Sequence, residues 1–233
     1  HKLSPTGINY RANIDAMKRA GVTDIISVSA VGSLKEQYAP GHFVLVDQFI
    51  DRTFAREKSF FSNGCVAHVG FAHPIASRLQ DALEKACKDL GFPHSRNGTY
   101  ICMEGPQFST YAESQLYRSW GCDVIGMTNM PEAKLAREAE IPYATVAMVT
   151  DFDCWHPDHD NVTVEQIVKV LTGNADHARS LIKAVAPMLR ERPEIDEQGG
   201  DRALDFALIT HAEGRDPAVV AKLDAVAGRM LGD

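Results

Sequence analysis

Two aspartates separated by one residue, Asp151 and Asp153, have the spacing best suited to chemistry in this chain. They follow an apolar run, 143–149, that is rich in β-branched residues and typical of a buried strand. Ligands of α/β proteins usually bind where such strands end. Two carboxyl groups at that place would suit a site that recognises or protonates a nitrogen base. The competing interpretation is that both aspartates only stabilise the next turn.

A second candidate segment follows an earlier β-branched run, 24–30. Here the strand is expected to end in small residues, Ser29 to Leu34, which include Gly32. Such a turn lets backbone N–H groups approach an anion closely. Because no complete glycine-rich phosphate motif is present, a tight turn without a ligand is the alternative.

The composition excludes several classes of protein. The chain has 233 residues, 45% of them hydrophobic, and a net charge of −7. This charge disfavours nucleic acid or an anionic membrane surface as the main partner. No apolar run approaches the ~20 residues of a transmembrane helix. The five cysteines are an odd number without C-x-x-C spacing, so we expect reduced thiols in a cytoplasmic protein.

One cluster of metal-ligating residue types lies at 156–160, which reads HPDHD. Its donors are adjacent in a turn-like segment, and no second cluster completes a ligand shell. We therefore expect a solvated loop and no metal.

Predicted strands alternate with predicted helices along the chain. The helices are expected at 9–20, 75–90, 109–120, 131–140 and 163–189, and the strands at 24–30, 42–50, 99–103, 124–127 and 143–149. This order predicts a single three-layer α/β domain over residues 1–192, with helices on both faces of the sheet. Residues 193–233 are expected to form a C-terminal tail with a last helix at 216–231. The chain opens without a strand, so we expect an N-terminal strand to be missing.

Several motifs occur together in one order: PTGINYRAN at 5–13, SAVGSL at 29–34, VDQFIDRT at 46–53, EGPQFSTYAES at 104–114, GMTNMPEA at 126–133 and TDFDCW at 150–155. Through them, residues 1–187 resemble the methylthioadenosine phosphorylase branch of the trimeric purine nucleoside phosphorylase family. The resemblance implies a mixed, twisted central sheet and a homotrimer with sites near subunit interfaces. It also implies reversible phosphorolysis of methylthioadenosine to adenine and 5-methylthioribose 1-phosphate. Phosphate is then a co-substrate, and no cofactor is needed.

The resemblance gives the two aspartates chemical roles. Cleavage of an N-ribosidic bond leaves negative charge on the departing purine, and a protonated acid at N7 stabilises it. Asp151 matches the family position for this role, and Asp153 matches the position near the 6-amino group. Burial and a second carboxylate would raise the donor's pKa from ~4. Which acid carries the proton stays open at this point.

Other positions match family contacts one by one. The implied phosphate contacts are Ser29, Ala30 and Thr128. The implied contacts to base and ribose are Gly32, Phe108, Gly126, Met127 and Phe152. Ser109 and Val164 match positions linked to substrate preference, and Val162, Val168 and a neighbouring subunit's His68 match the methylthio pocket. The alternative to a ligand contact is plain core packing for Phe108 and the valines. For His68, the alternative is a structural role.

The chain also departs from the family pattern. Gly126 stands where some relatives have asparagine, and Gln107 where some have arginine. The family's glycine-rich opening strand and Arg-His-Gly segment, which both contribute to phosphate binding, do not appear. Three other hypotheses therefore remain: a phosphorylase that prefers inosine, guanosine or methylthioinosine, a nucleosidase that uses water, and an inactive ligand-binding subunit.

Overall fold

A computed structural model describes residues 2–157, 164–193 and 195–232, with the backbone alone for 164–169 and 171. Its strands are β1 (Ile25–Ser33), β2 (Phe43–Leu45), β3 (Gln48–Asp51), β4 (His94–Arg96), β5 (Thr99–Cys102), β6 (Val124–Gly126) and β7 (Tyr143–Asp151). They form one seven-stranded sheet in the order β3-β5-β6-β1-β7-β2-β4. Parallel and antiparallel neighbours both occur, so the predicted α/β domain with a mixed sheet is confirmed.

The helices are α1 (Tyr10–Arg19), α2 (Ser77–Leu90), α3 (Tyr111–Ser119), α4 (Asn129–Glu138), α5 (Val164–Val185), α6 (Pro217–Val220) and α7 (Asp224–Leu231). Helices α2 and α5 pack on each other, as do α1 and α4, and α2, α4 and α5 also contact β7. In α2 the buried side chains Leu79, Leu83 and Ala86 recur at helical spacing and face the core. No helix in the described part of the chain is long and apolar enough to cross a membrane.

Strands β1 and β7 form the centre of the sheet and position the candidate site. Every residue of β7 before Asp151 is buried, as its apolar run predicts. The two strands pair in parallel with continuous register up to Val31 and Val149. The register then shifts, and Gly32 pairs with Asp151. The shift brings the small residue of β1 directly beside the first acid of the pair.

Two strand predictions are corrected. Ser29 to Ser33 is not a turn, because β1 continues through it while β7 remains its neighbour. The single strand expected at 42–50 is two strands, because β2 pairs with β4 and β7 whereas β3 pairs with β5. The chain leaves one set of neighbours for the other at Val46 and Asp47, where the Asp47 carboxylate accepts a hydrogen bond from the Gly98 N–H at 2.9 Å.

The C-terminal residues pack against the body of the domain. Leu208 forms an antiparallel bridge with Ala67, and the Leu204 N–H donates to the Glu140 carboxylate at 2.9 Å. Arg229 donates to the same carboxylate. The helix expected at 216–231 is divided, since a 3₁₀ turn separates α6 from α7.

Candidate functional site

The acid pair lies where β7 ends, held by local hydrogen bonds. Asp151 Oδ1 accepts from the Asp153 backbone N–H at 2.8 Å, and Oδ2 accepts from Thr150 Oγ1 at 2.6 Å. The turn that makes this possible places Asp153 at φ 52, a left-handed conformation that aspartate tolerates better than most residues. Gly32 completes the fit, because a Cβ there would lie 3.0 Å from Asp151 Oδ1 and 3.3 Å from Asp153 Cβ.

Burial makes both carboxyl groups weaker acids. It raises the pKa of Asp151 above 3.8, although hydrogen bonds from Thr150 and the Asp153 N–H act against it. It raises the pKa of Asp153 to about 6, opposed by the Ser114 hydroxyl and assisted by the negative charge of Asp151. Asp153 is only 8% exposed. The pair can therefore hold a proton near neutral pH, which an exposed aspartate cannot do.

The raised pKa of Asp153 predicts a pH-dependent stability. The folded state binds a proton more tightly than the unfolded chain, in which aspartate keeps its usual pKa of 3.8. This contribution to stability is complete below about pH 4 and is lost as the pH rises through about 6. Asp153→Asn should remove it, and asparagine accepts the same backbone angles. Urea unfolding of both proteins across this pH range measures the difference, and a constant difference would contradict the raised pKa.

A set of hydroxyl groups lies further back along β1. Ser29 is 5% exposed, and its Oγ lies 3.2 Å from the phenol oxygen of Tyr100 on β5. The backbone N–H and hydroxyl group of Thr128, which precedes α4, lie near the same phenol. Ala30 follows Ser29 on β1 and is exposed. Gly32 is three positions after Ser29 along β1, so roughly 10 Å of strand lies between the hydroxyl groups and the acid pair.

A buried arginine holds the backbone of the segment between β6 and α4. Arg56 donates from Nη1 to the carbonyl oxygens of Met127 and Met130, both at 2.6 Å. Its Nε donates to Glu104 Oε1 at 3.0 Å. Burial alone would raise the pKa of Glu104, but hydrogen bonds from Thr6, two backbone N–H groups and Arg56 lower it to about 2. Arg56, held by Glu104, thus fixes the backbone of Met127. The Met127 side chain packs against Gly105, where an added Cβ would lie only 2.5 Å from its Sδ.

A cavity of about 360 Å³ opens at the start of α3, and neither Asp151 nor Asp153 is among its lining residues. Its lining includes Phe108, Ser109 and Glu113. Ser109 connects it to the pair, because its carbonyl oxygen accepts from Cys154 Sγ at 3.4 Å. Phe108 is 60% exposed, so it is available to a flat ligand and is not part of the core.

Other predicted residues lie elsewhere. Phe152 is buried in an apolar cluster with Leu34, Ile101 and Trp155, so its side chain is a core element. His68 is exposed, and its N–H donates to the Ala207 carbonyl oxygen, so its segment pairs with C-terminal residues instead of the site strands. Val162 and the side chains of Val164 and Val168 lie outside the described residues, as does the end of the HPDHD segment at 158–160.

Sequence reasoning missed Tyr100, Ser114 and the Arg56–Glu104 pair. Ser114 is fully buried beside Asp153, and Tyr100 is fully buried beside Ser29. Serine on a helix and tyrosine in a strand are ordinary packing residues in a sequence. One local signal was available for the start of α3: Thr110 and Glu113 form a capping box, so the helix expected from residue 109 begins after Thr110.

The mixed sheet places the buried acid pair at the ends of β1 and β7, and the hydroxyl groups of Ser29, Thr128 and Tyr100 lie nearby. Such an arrangement is typical of an enzyme site for a small polar substrate. A model of the phosphorylase superfamily matches residues 1–187. The chain belongs to the phosphorylase superfamily and is an enzyme of that class, which confirms the resemblance seen in its motifs.

Known relatives agree with this membership. An S-methyl-5′-thioadenosine phosphorylase of Rhodospirillum rubrum is 67% identical, covering 100% of this chain and 79% of that protein. One of Bradyrhizobium diazoefficiens is 65% identical, covering 99% and 79%. A methylthioadenosine phosphorylase crystal structure from an Antarctic soil metagenomic library is 46% identical with a TM-score of 0.90, covering 97% and 79%. The Schistosoma mansoni enzyme in complex with adenine is 34% identical with a TM-score of 0.78, covering 82% and 74%.

Proposed function

We propose that this protein cleaves S-methyl-5′-thioadenosine with inorganic phosphate, giving adenine and 5-methylthioribose 1-phosphate. The observation that carries the proposal is the acid pair: Asp151 and Asp153 share one strand end, and both have raised pKa values because they are buried. Relatives named as methylthioadenosine phosphorylases support the same substrate.

The acid pair suits an aminopurine leaving group. A neutral carboxyl group can donate to purine N7 as negative charge develops there, and a carboxylate can accept from the 6-amino group. We assign the donor role to Asp151 and the recognition role to Asp153, as the motif resemblance implies, and two hydrogen bonds fix the orientation of the Asp151 carboxyl group. When the pair holds one proton, one carboxyl group is neutral and can donate, while the other is ionised and can accept.

The hydroxyl groups suit the phosphate. Ser29 and Thr128 supply hydroxyl donors. The third donor that we assign is the backbone N–H of Ala30, an exposed residue next to Ser29 on β1. A ligand that contacts these groups and the acid pair must span roughly 10 Å along β1, the scale of a nucleoside with an anion beside its sugar. Phosphate then attacks the anomeric carbon as the purine departs.

Adenine release with and without inorganic phosphate tests the proposed reaction. We expect methylthioadenosine to release adenine only when phosphate is present, and the sugar product to appear as its 1-phosphate in equal amount. Equal release in phosphate-free buffer would identify a nucleosidase, and no release in either buffer would favour a ligand-binding subunit.

A substrate panel distinguishes related phosphorylases. Methylthioadenosine should give the highest kcat/KM when compared with methylthioinosine, inosine and guanosine. A 6-oxopurine offers an N1–H and a carbonyl oxygen instead of an amino group. A higher kcat/KM for such a substrate would therefore overturn the role given to Asp153.

Three further properties belong to the same proposal. We place the enzyme in purine and methionine salvage, because it would recover adenine and a methylthio sugar. We infer a cytoplasmic location, supported by cysteines that are all free, four of them buried. We infer a homotrimer that needs no metal or cofactor, which light scattering and activity in the presence of a chelator would test.

A further inference from the structure

Tyr100 has a geometry that the reaction so far described does not use. It lies on β5, paired with Val124 of β6 on one side and with Phe49 of β3 on the other. The rings of Phe49 and Tyr100 pack edge to face with centroids 5.9 Å apart. The phenol is fully buried, yet its oxygen reaches Ser29 across the sheet at 3.2 Å. The ring is therefore immobilised, and its hydroxyl group is directed at the hydroxyl groups of Ser29 and Thr128, here called the hydroxyl set.

Gly126 makes this placement possible. A Cβ at residue 126 would overlap the Tyr100 hydroxyl group and lie 2.6 Å from its Cζ. Glycine in a strand commonly marks such a close approach. Any side chain at residue 126 would collide with the Tyr100 phenol where it lies. The phenol hence occupies the space that a side chain at residue 126 would fill.

The phenol can free the hydroxyl protons of Ser29 and Thr128 for a bound anion. Ser29 and Thr128 have one hydroxyl proton each, and both protons are needed if both groups donate to an anion. A partner that donates to one hydroxyl oxygen and accepts from a backbone N–H leaves those protons free. Tyr100 has this capacity, since it faces the Thr128 N–H and burial raises the pKa of its phenol so that it keeps its proton.

We propose that Tyr100 is a positioning residue of the phosphate site: its hydroxyl group orients Ser29 and Thr128 toward the anion, and residue 126 must be glycine for this to occur. This inference rests on the proposed function, because it assumes that the hydroxyl set binds phosphate. It adds that Ser29 and Thr128 need a third residue to fix the orientation of their hydroxyl groups.

Tyr100→Phe tests the role of the hydroxyl group, since it keeps the ring and its packing. We expect the KM for phosphate to rise about tenfold, the scale of one hydrogen bond, while the KM for the nucleoside changes little. The matched control is Tyr38→Phe, which removes the hydroxyl group of another buried tyrosine, stacked on His42 at 5.2 Å. An unchanged phosphate KM in Tyr100→Phe would overturn the inference.

A binding measurement separates this inference from the proposed reaction. Inorganic phosphate should raise the melting temperature of the wild-type protein, and at equal phosphate concentration the rise should be smaller in Tyr100→Phe but not in Tyr38→Phe. If phosphate stabilises wild type but adenine release is absent, the proposed function fails and the positioning role survives. If phosphate stabilises both Tyr100→Phe and wild type equally, the positioning role fails even when the enzyme is active.

The requirement for glycine is tested by a double-mutant cycle. Gly126→Ala should abolish the stabilisation by phosphate in wild type, because its Cβ displaces the phenol. In a Tyr100→Leu background, which vacates that space, the same alanine should have little further effect. Equal effects of Gly126→Ala in both backgrounds would show that the two residues do not compete for space.

Discussion

Replacing Asp151 with asparagine is expected to lower phosphate-dependent turnover of methylthioadenosine by about a hundredfold or more, the usual scale for a general acid. Asparagine keeps an acceptor for the Asp153 N–H but cannot transfer a proton. The Thr150 hydroxyl group also lies 3.1 Å from the Val31 carbonyl oxygen, so it can turn its proton to that oxygen and accept from the new amide. The fold should therefore survive, and steady-state kinetics should show the loss in kcat with an unchanged melting temperature.

Asp47→Asn is the control for this substitution. Asp47 also follows a strand, is half-buried and accepts a backbone N–H, from Gly98 at 2.9 Å. Turnover should be unchanged in this variant. If Asp151→Asn retains full turnover, Asp151 is not the proton donor, and Asp153→Asn then becomes the variant that should lose activity.

Replacing Arg56 with methionine is expected to cause the largest loss of stability. The Arg56 side chain is 1% exposed, and its guanidinium group binds the Glu104 carboxylate and three backbone carbonyl oxygens at 3.0 Å or less. Removing one partner of a buried ion pair leaves the other charge uncompensated, which costs about 3–5 kcal/mol. For a chain of this size we expect a fall in melting temperature on the order of 10 °C.

Arg11→Met provides the comparison for Arg56. Arg11 pairs with Glu57 at the surface, with side chains 43% and 70% exposed. Such a pair contributes less than about 1 kcal/mol, so urea unfolding should differ little from wild type. Adding Glu104→Gln to Arg56→Met should recover part of the lost stability, because it removes the stranded charge. A loss no larger in Arg56→Met than in Arg11→Met would contradict this account.

The Arg56 variant should also affect the site, since the same guanidinium group holds the carbonyl oxygens of Met127 and Met130 on either side of Thr128. This link between stability and the proposed phosphate site could not be predicted from the sequence. Arg56 and Glu104 are 48 residues apart, and each belongs to a loop-like segment with no periodic pattern. Only the folded chain reveals that both are buried.

Strand boundaries show the same division between local and distant information. The apolar run before Asp151 predicts β7 because a strand buried on both faces leaves that pattern in the sequence. The run at 42–50 is also largely apolar, yet it forms β2 and β3 because its two halves pair with different strands. Pairing partners are set by the sheet order, which hydrophobic pattern alone does not encode.

The sequence by itself determined the chemical groups of the candidate site: the two aspartates, the small residues from Ser29 to Gly32 and the threonine before α4 all lie in short motifs with local meaning. Tertiary structure alone decided how these groups behave. Burial raises the pKa values of the acid pair, and the order β5-β6-β1 brings Tyr100 to Ser29 past Gly126. The reason is physical: residue type is a property of one position, whereas desolvation and close approach depend on segments distant in the chain.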